Sequence, residues 1–294
     1  GEATYDALVR HLADAHRISV FDEPPPPTGG SLSAYDPERR ELRLSKFLPR
    51  QSRAFRIARQ IALASLEGEI AAYADDPALQ SESARALVRG VLANYFAGAL
   101  LMPYAAFLEA ARATRYDTDL LQSRFDASFE QVCHRLTTLQ RPEASGVPFH
   151  FIRVDVAGNV SKGMSLSGMR LPRHGGVCPR LNVHTCFMTP GVIDRQVVRA
   201  SDRAIFFNLA RTVTKAGWDH PSPSHHFAIS LGCAVGHARE LVYSDGIDLD
   251  NENAIVPIGM TCRMCEREDC QQRAFAPVLD RFRLTPEGGE TIQA

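Results

Sequence analysis

Three cysteines near the end of the sequence have a spacing that is typical of metal ligands. Cys262, Cys265 and Cys270 form the pattern C-x2-C-x4-C. Three close thiolates with one remote cysteine are a common ligand set of iron–sulfur clusters, whereas zinc sites tend to use two ligand pairs. The spacing therefore predicts an iron–sulfur site. The zinc alternative would add Cys233 and His237, which are one helical turn apart, and would leave Cys270 without a role.

The fourth ligand must come from the remaining cysteines of the chain. Cys233 is the first choice, because residues 231–233 are predicted to end a strand and open a helix, where a side chain stands beside free backbone N–H groups. Cys178 and Cys186 are the next choices, since both lie in predicted turns or short strands. Cys133 falls on the apolar stripe of a predicted helix, and we interpret it as a core residue.

Three arginines accompany these cysteines, at positions 263, 267 and 273. Their charge would offset the negative charge of a cluster with four thiolates, and their N–H groups could donate hydrogen bonds to sulfur. An iron–sulfur site also suits an odd total of seven cysteines better than a set of disulfides does.

Composition limits the class of protein to which these ligands belong. The 294 residues are 45% hydrophobic and 23% charged, with a formal net charge of −1. No basic field over the whole chain is present to hold a nucleic acid duplex. No apolar run reaches the roughly 18 to 20 residues that span a bilayer, and Glu2 and Asp6 do not fit a signal peptide. We expect a cytoplasmic protein whose thiols stay reduced and which does not contact a membrane.

The elements that must position the site differ between the two halves of the sequence. Apolar residues at helical spacing predict helices in the first half, and a turn at 36–40 predicts one hairpin. The predicted helices are 5–16, 51–72, 83–102, 104–114 and 117–139, and the hairpin is 35–44. The first half is therefore predicted to be mostly helical.

Alternating apolar and polar residues begin after a breaker-rich stretch at 141–146. The predicted strands are 149–155, 160–165, 196–199, 203–208 and 227–231, followed by a helix at 233–243 and a helical tail past Cys270. This order predicts an α+β protein with a helical domain at 1–143 and an antiparallel-sheet domain at 144–294, which carries the cysteine-rich segment.

Two parts of the chain resemble known domains. Residues 231–233, 238–243 and 262–274 resemble the C-terminal region of the short-chain fatty acyl-CoA regulator family of actinobacteria. The first half resembles the ImmA/IrrE peptidase-like domain that precedes this region in the family. Residues 55–63 align with the helix that carries the HExxH motif of that domain, and residues 93–103 align with its next helix.

The zinc-binding residues of the peptidase motif are absent from this sequence. Arg59 and Leu63 stand at the two histidine positions, Gln60 stands at the glutamate position, and Leu92 stands at the third-ligand position. None of these side chains can ligate zinc or act as the general base of a metallopeptidase. We therefore predict a degenerate peptidase-like domain that is not an enzyme.

The resemblance implies a transcription factor that binds CoA or short-chain acyl-CoA in propionate metabolism, carries a [4Fe–4S] cluster on four cysteines and forms a homotetramer. It also implies a helix-turn-helix unit for DNA, and none is visible before Tyr5. We expect this unit to lie in another part of a longer protein. Two other functions use the same cysteines, namely an iron–sulfur redox or electron-transfer protein and a zinc-stabilised interaction domain.

The effector needs cations for its phosphates and an apolar pocket for its acyl group. Arg153, Lys162 and Arg170, on or near the predicted hairpin 149–165, are the candidates for the phosphate contacts. A solvated face of the sheet is an equally open interpretation of these residues.

Overall fold

The chain is divided between two structural units. The computed structural model describes residues 2–24, 31–172, 175–215 and 224–278. The first unit contains the described residues up to 111 and residues 118–135, and the second contains residues 112–117 and the described residues from 136 onward. The chain therefore enters the second unit twice.

Helices dominate the first part of the chain, as predicted. They are α1 (Glu2–His16), α2 (Arg50–Ser65), α3 (Glu67–Ala74), α4 (Glu82–Leu101), α5 (Tyr104–Ala113), α6 (Thr118–Phe125) and α7 (Phe129–Thr137). The predicted helix 51–72 is two helices, because Leu66 leaves the helical conformation at φ −121° and ψ 31°. The hydroxyl of Ser81 caps α4 by accepting the N–H of Ala84 at 3.1 Å.

A small sheet accompanies these helices in the first unit. Its strands are β1 (Ser19–Glu23), β2 (Ser33–Asp36) and β3 (Glu41–Ser45), in the order β1-β3-β2. β2 and β3 are antiparallel, which confirms the predicted hairpin. Its turn is fixed by the Asp36 carboxylate, which accepts the N–H groups of Glu38 and Arg39 at 3.0 Å each.

The second unit is built around a six-stranded sheet. A short hairpin of β4 (Gln140–Arg141) and β5 (Ala144–Ser145) precedes it, and the predicted domain boundary at 143/144 falls inside this hairpin. The sheet strands are β6 (Phe149–Asp155), β7 (Val160–Ser165), β8 (Asp194–Arg199), β9 (Ile205–Lys215), β10 (His225–Ala234) and β11 (Val256–Pro257). Their order is β11-β8-β9-β10-β6-β7, antiparallel except for β11 beside β8. The α+β prediction is confirmed.

The two faces of this sheet carry different residues, because side chains alternate along a strand. One face, which we name the Ala228 face, packs against the segment that leads into and includes α8 (Asn182–Thr185). Its buried strand residues are Ile152, Val154, Val198, Phe206, Ala210 and Ala228. The other face, named the Ile229 face, carries Phe151, Phe207, Leu209, Ile229 and Leu231, which are also buried.

The helix predicted at 233–243 is wrong. β10 continues to Ala234, and two short 3-10 segments follow at Val235–Glu240 and Val242–Ser244. Pairing with β9 keeps Cys233 and Ala234 in the strand. Further along, the Arg115 guanidinium donates to the carbonyls of Arg239 at 3.2 Å and Leu241 at 3.4 Å.

Two further observations concern helices. Residues 271–277 form no helix, and the predicted helical tail after residue 278 lies outside the described residues. Across the described ranges, no single helix is long and apolar enough to cross a bilayer, although α4 and α5 reach that length together with a 64° bend between them.

Candidate functional site

Four cysteines line one cavity of the second unit. They are Cys178, Cys262, Cys265 and Cys270. The cavity is also lined by Pro179, Arg180, Pro257, Gly259, Thr261, Arg267 and Arg273. In the part of the chain that the structure describes, no three His, Cys, Asp or Glu side chains are arranged to hold a single metal ion. The thiols surround a space instead of converging on one point.

Cys178 reaches this cavity from the segment that covers the Ala228 face. It is buried there in the same core as Val177 and Leu181. Burial raises the pKa of the Cys178 thiol, and the nearby Cys262 and Cys265 sulfurs raise it further. The backbone N–H groups of Arg180 and Gly259 act in the opposite direction, because they donate to the Cys178 sulfur and stabilise its thiolate form.

The other three cysteines lie on residues 259–275, which we name the cysteine loop. The loop begins at the edge of the sheet, where β11 pairs with β8 and the Ile258 N–H donates to the Arg199 carbonyl at 2.8 Å. Gly259 is required at this point, because a Cβ atom there would lie 2.6 Å from the Cys265 sulfur. The fold thus places the loop beside Cys178 through backbone pairing and a close contact.

Arg273 holds the far end of the cysteine loop against its start. Its guanidinium donates to the carbonyls of Cys262 at 3.1 Å and Cys265 at 3.3 Å, and also to the carbonyl of Arg267. The backbone N–H of Ala274 lies 3.4 Å from the Cys262 sulfur, to which it donates. These hydrogen bonds fix the conformation of the cysteine loop.

Cys233, the first choice for the fourth ligand, does not line this cavity. It lies within β10 opposite Phe149 and Phe207, and strand alternation places it on the Ile229 face. Cys178 packs on the Ala228 face, so the sheet separates the two sulfurs. Burial raises the pKa of the Cys233 thiol to about 12. These observations favour Cys178 over Cys233 as the partner of the cysteine loop.

The remaining two cysteines are also outside the cavity lining. Cys186 is fully buried, donates to the Val183 carbonyl at 3.4 Å and has a pKa raised to about 12 by burial and by the neighbouring Asp194. Cys133 is fully buried in α7, which confirms its interpretation as a core residue.

Two of the three predicted effector contacts lie side by side. Arg153 of β6 is directly opposite Lys162 of β7. The guanidinium carbon of Arg153 lies 4.7 Å from the centre of the Phe227 ring, and the Lys215 ammonium lies 5.4 Å from the same ring. Arg153 also donates to the Ser161 hydroxyl at 2.8 Å. This group combines cations with an exposed part of an aromatic ring, and we name it the Phe227 patch.

Arg170 lies elsewhere on the second unit. Its guanidinium is 3.9 Å from the carboxylate of Asp202, in the turn between β8 and β9. That turn adjoins Ile205, at the start of β9. Arg211 of β9 lies level with Ile229 and Arg153 across the sheet. It is about 20 Å further along β9 than Ile205. The structure therefore brings Arg153 and Lys162 together and does not bring Arg170 to them.

A buried polar network on the Ala228 face was missed from the sequence. His150 is fully buried, with Nδ1 at 2.8 Å from the Ser167 hydroxyl and Nε2 at 2.9 Å from the Asn208 side-chain oxygen. Burial lowers the pKa of His150 to about 4. Gly232 lies between the two strands that carry His150 and Asn208, and a Cβ there would lie 2.1 Å from Asn208 Oδ1. An alternating strand pattern does not reveal such a network.

The positions that correspond to the peptidase motif lie on two helices of the first unit that pack together, α2 and α4. Gln60 is buried, while Arg59, Leu63 and Leu92 are half-buried. Arg59, Gln60 and Leu63 lie in the second half of α2, and Leu92 lies in the middle of α4.

Comparisons with known proteins match the two parts of the chain to two different domains. Residues 13–137 match the IrrE N-terminal-like domain, and residues 138–292 match the C-terminal domain of the short-chain fatty acyl coenzyme A regulators. A solved structure described as a Mycobacterium tuberculosis transcriptional regulator is 41% identical and has a TM-score of 0.88, with 98% of this chain and 87% of that chain covered.

Curated relatives include transcriptional regulators of two bacteria. The propionyl-CoA carboxylase regulator of Cereibacter sphaeroides is 45% identical over 84% of this chain and 53% of its own length. The HTH-type transcriptional regulators PrpR and RamB of Mycobacterium tuberculosis are each 42% identical over 97% of this chain, and over 58% and 60% of their own lengths. The chain thus spans less than two thirds of each of these relatives. It belongs to the short-chain fatty acyl coenzyme A regulator family.

Proposed function

We propose that this chain is the effector-binding region of a transcriptional regulator that senses CoA or short-chain acyl-CoA, such as propionyl-CoA. We further propose that it carries a [4Fe–4S] cluster on Cys178, Cys262, Cys265 and Cys270. The observation that carries the proposal is the presence of these four thiols around one cavity in a member of this family.

The surroundings of the four thiols fit an iron–sulfur cluster. Backbone N–H groups of Arg180 and Gly259 donate to the Cys178 sulfur, and that of Ala274 donates to the Cys262 sulfur. Arg180, Arg267 and Arg273 line the cavity and supply positive charge against four thiolates. Such hydrogen bonds and charges stabilise and tune clusters. When bound, the cluster would supply a centre that responds to iron, oxidants or electrons.

Metal analysis separates this proposal from the zinc alternative. Protein purified without oxygen should be brown, with broad visible absorption, and should contain iron and acid-labile sulfide in equal amounts. A colourless protein with one zinc per chain would contradict the cluster and favour a zinc-stabilised interaction domain.

The Phe227 patch is our proposed contact for the phosphates and adenine of the effector. Arg153 and Lys162 would bind phosphate oxygens, and the Phe227 ring would stack on the adenine. Arg170 is not included in this contact, because its partner Asp202 is at the other end of the sheet. The patch does not identify the pocket for the acyl group.

Thermal unfolding with added effector tests this part of the proposal. A ligand at 100 times its Kd stabilises the native state by about 2.7 kcal/mol, which raises the melting temperature by several degrees in a chain of this size. Propionyl-CoA should produce this shift in the natural chain. The double change Arg153→Gln and Lys162→Gln should reduce the shift, whereas Arg170→Gln should preserve it. An unchanged melting temperature with both propionyl-CoA and free CoA would contradict effector binding.

Other properties of the regulator concern regions or copies beyond this chain. We propose that DNA is bound by the remaining part of a longer protein, and that the regulator is a cytoplasmic homotetramer. The first unit is then a degenerate peptidase-like domain, since Arg59, Gln60 and Leu63 offer neither zinc ligands nor a general base. Proteolysis that depends on added zinc and is absent without it would contradict this assignment.

A further inference from the structure

The three arginines of the cysteine loop have different surroundings. Arg263 is exposed, and its guanidinium carbon lies 4.7 Å from the centre of the Phe275 ring. Arg273 donates to three carbonyls of the loop. Arg267 lines the cavity, and its Nε atom is buried without a hydrogen-bond partner among the described residues. One of the three thus has an N–H group that no described residue satisfies.

A buried N–H of a charged group is unfavourable unless it meets an acceptor. The Arg267 carbonyl is already bound by Arg273, so the backbone around Arg267 is fixed while its Nε remains unpaired. The cavity that Arg267 lines is the place where a bound group would supply acceptors. A cluster held by the four lining thiols would present their sulfur atoms in this cavity as hydrogen-bond acceptors.

We propose that Arg267 is a positioning residue that donates its Nε–H to a sulfur of the bound iron–sulfur cluster. This inference rests on the proposed function. A hydrogen bond from a cation stabilises the reduced cluster, which carries more negative charge than the oxidised one, and so raises its reduction potential. Arg273 instead fixes the loop conformation. Arg263 contributes only its positive charge, from the solvent-exposed side of the loop.

Variants at two positions of the same loop test this assignment. Arg267→Lys keeps the charge without the Nε–H, and Arg267→Met removes both. Arg263→Lys and Arg263→Met are the matched controls on the exposed arginine. Each variant is prepared as the full chain without oxygen, and its iron and sulfide are counted before its reduction potential is measured. The chain is also labelled at the arginine side-chain nitrogens, so that magnetic coupling between these nitrogens and the reduced cluster can be recorded.

We expect a lower reduction potential in Arg267→Met, a smaller decrease in Arg267→Lys, and no change in either Arg263 variant. The nitrogen coupling should be present in the natural chain and lost in Arg267→Lys. A natural chain that contains no iron would overturn the proposed function together with this inference. A loaded Arg267→Lys variant with an unchanged potential and an unchanged nitrogen coupling would overturn the inference alone. If Arg267→Met does not load iron, the lysine variant still decides the result.

Discussion

His150 is the residue whose surroundings depart most from those of a free side chain. It is fully buried between Ser167 and Asn208, and its ring meets that of Phe206 edge-on with centroids 5.7 Å apart. With Asn208 as acceptor, Nε2 carries the proton and Nδ1 accepts from Ser167. Both ring nitrogens are therefore satisfied by the neutral imidazole, and a second proton on the ring would break the bond from Ser167.

This burial makes stability depend on pH. The pKa of His150 falls from 6.5 to about 4 on folding, so between these values the unfolded chain binds a proton that the folded chain does not. The stability contribution is complete above pH 6.5 and is lost as pH falls toward 4, by about 3 kcal/mol in total. Urea unfolding at pH 7 and pH 5 should show a smaller loss in His150→Gln than in the natural chain. The exposed His225→Gln control should keep the natural loss.

Gly259 gives a second prediction for a single residue. Gly259→Ala should push the Cys265 sulfur out of place, because the new Cβ would approach it to 2.6 Å. We expect a large decrease in bound iron per chain after anaerobic reconstitution. Gly236→Ala, where no atom lies within 4 Å of the added Cβ, should bind iron like the natural chain. Full iron binding by Gly259→Ala would mean that the loop does not need this close contact.

The sequence identified part of the candidate site at this scale. Cys262, Cys265 and Cys270 are close along the chain, so their association follows from spacing alone. The position of Cys178 depends on which sheet face each segment covers, and a single shift of strand parity moves a side chain to the opposite face. Cys233 was preferred because β10 was predicted to end before it, whereas the strand includes it.

Helix α4 and strand β10 show opposite roles of glycine within an element. Gly98 is inside α4 with no atom within 4 Å of an added Cβ, so Gly98→Ala should stabilise the chain by up to about 1 kcal/mol. Gly232→Ala should destabilise it by at least about 1–3 kcal/mol, because its Cβ would overlap Asn208 and His150. Chemical unfolding of both variants measures these changes. Equal effects at the two positions would contradict the packing described around Gly232.

Elements with regular patterns were predicted well, and the segment without one was not. The α4 helix and the β6–β7 hairpin follow directly from periodicity and turn residues. The pattern at 233–243 predicts a helix, but its first two residues pair with β9, and the carbonyls of Arg239 and Leu241 accept from Arg115, which is more than 100 positions earlier in the chain. Local patterns carry no information about such a partner.

At the scale of the whole molecule, the charge balance limits what this chain does alone. Its formal net charge is −1, and under the proposed function DNA is bound by another part of a longer protein. We predict that the chain shows at most weak, salt-sensitive binding to a DNA duplex, with a Kd no tighter than about 10⁻⁶ M. Fluorescence anisotropy with labelled duplex measures this. Tight binding to a specific sequence would contradict the assignment of DNA recognition to another region.

The central claim is that Cys178 completes a cluster with the cysteine loop, and its most direct test compares two alanine variants. Iron and acid-labile sulfide should be measured after anaerobic reconstitution of the natural chain, Cys178→Ala and Cys233→Ala. We predict that Cys178→Ala loses most of the iron and that Cys233→Ala retains the natural amount, because the sheet separates Cys233 from the cavity. Retention by Cys178→Ala together with loss by Cys233→Ala would contradict the account.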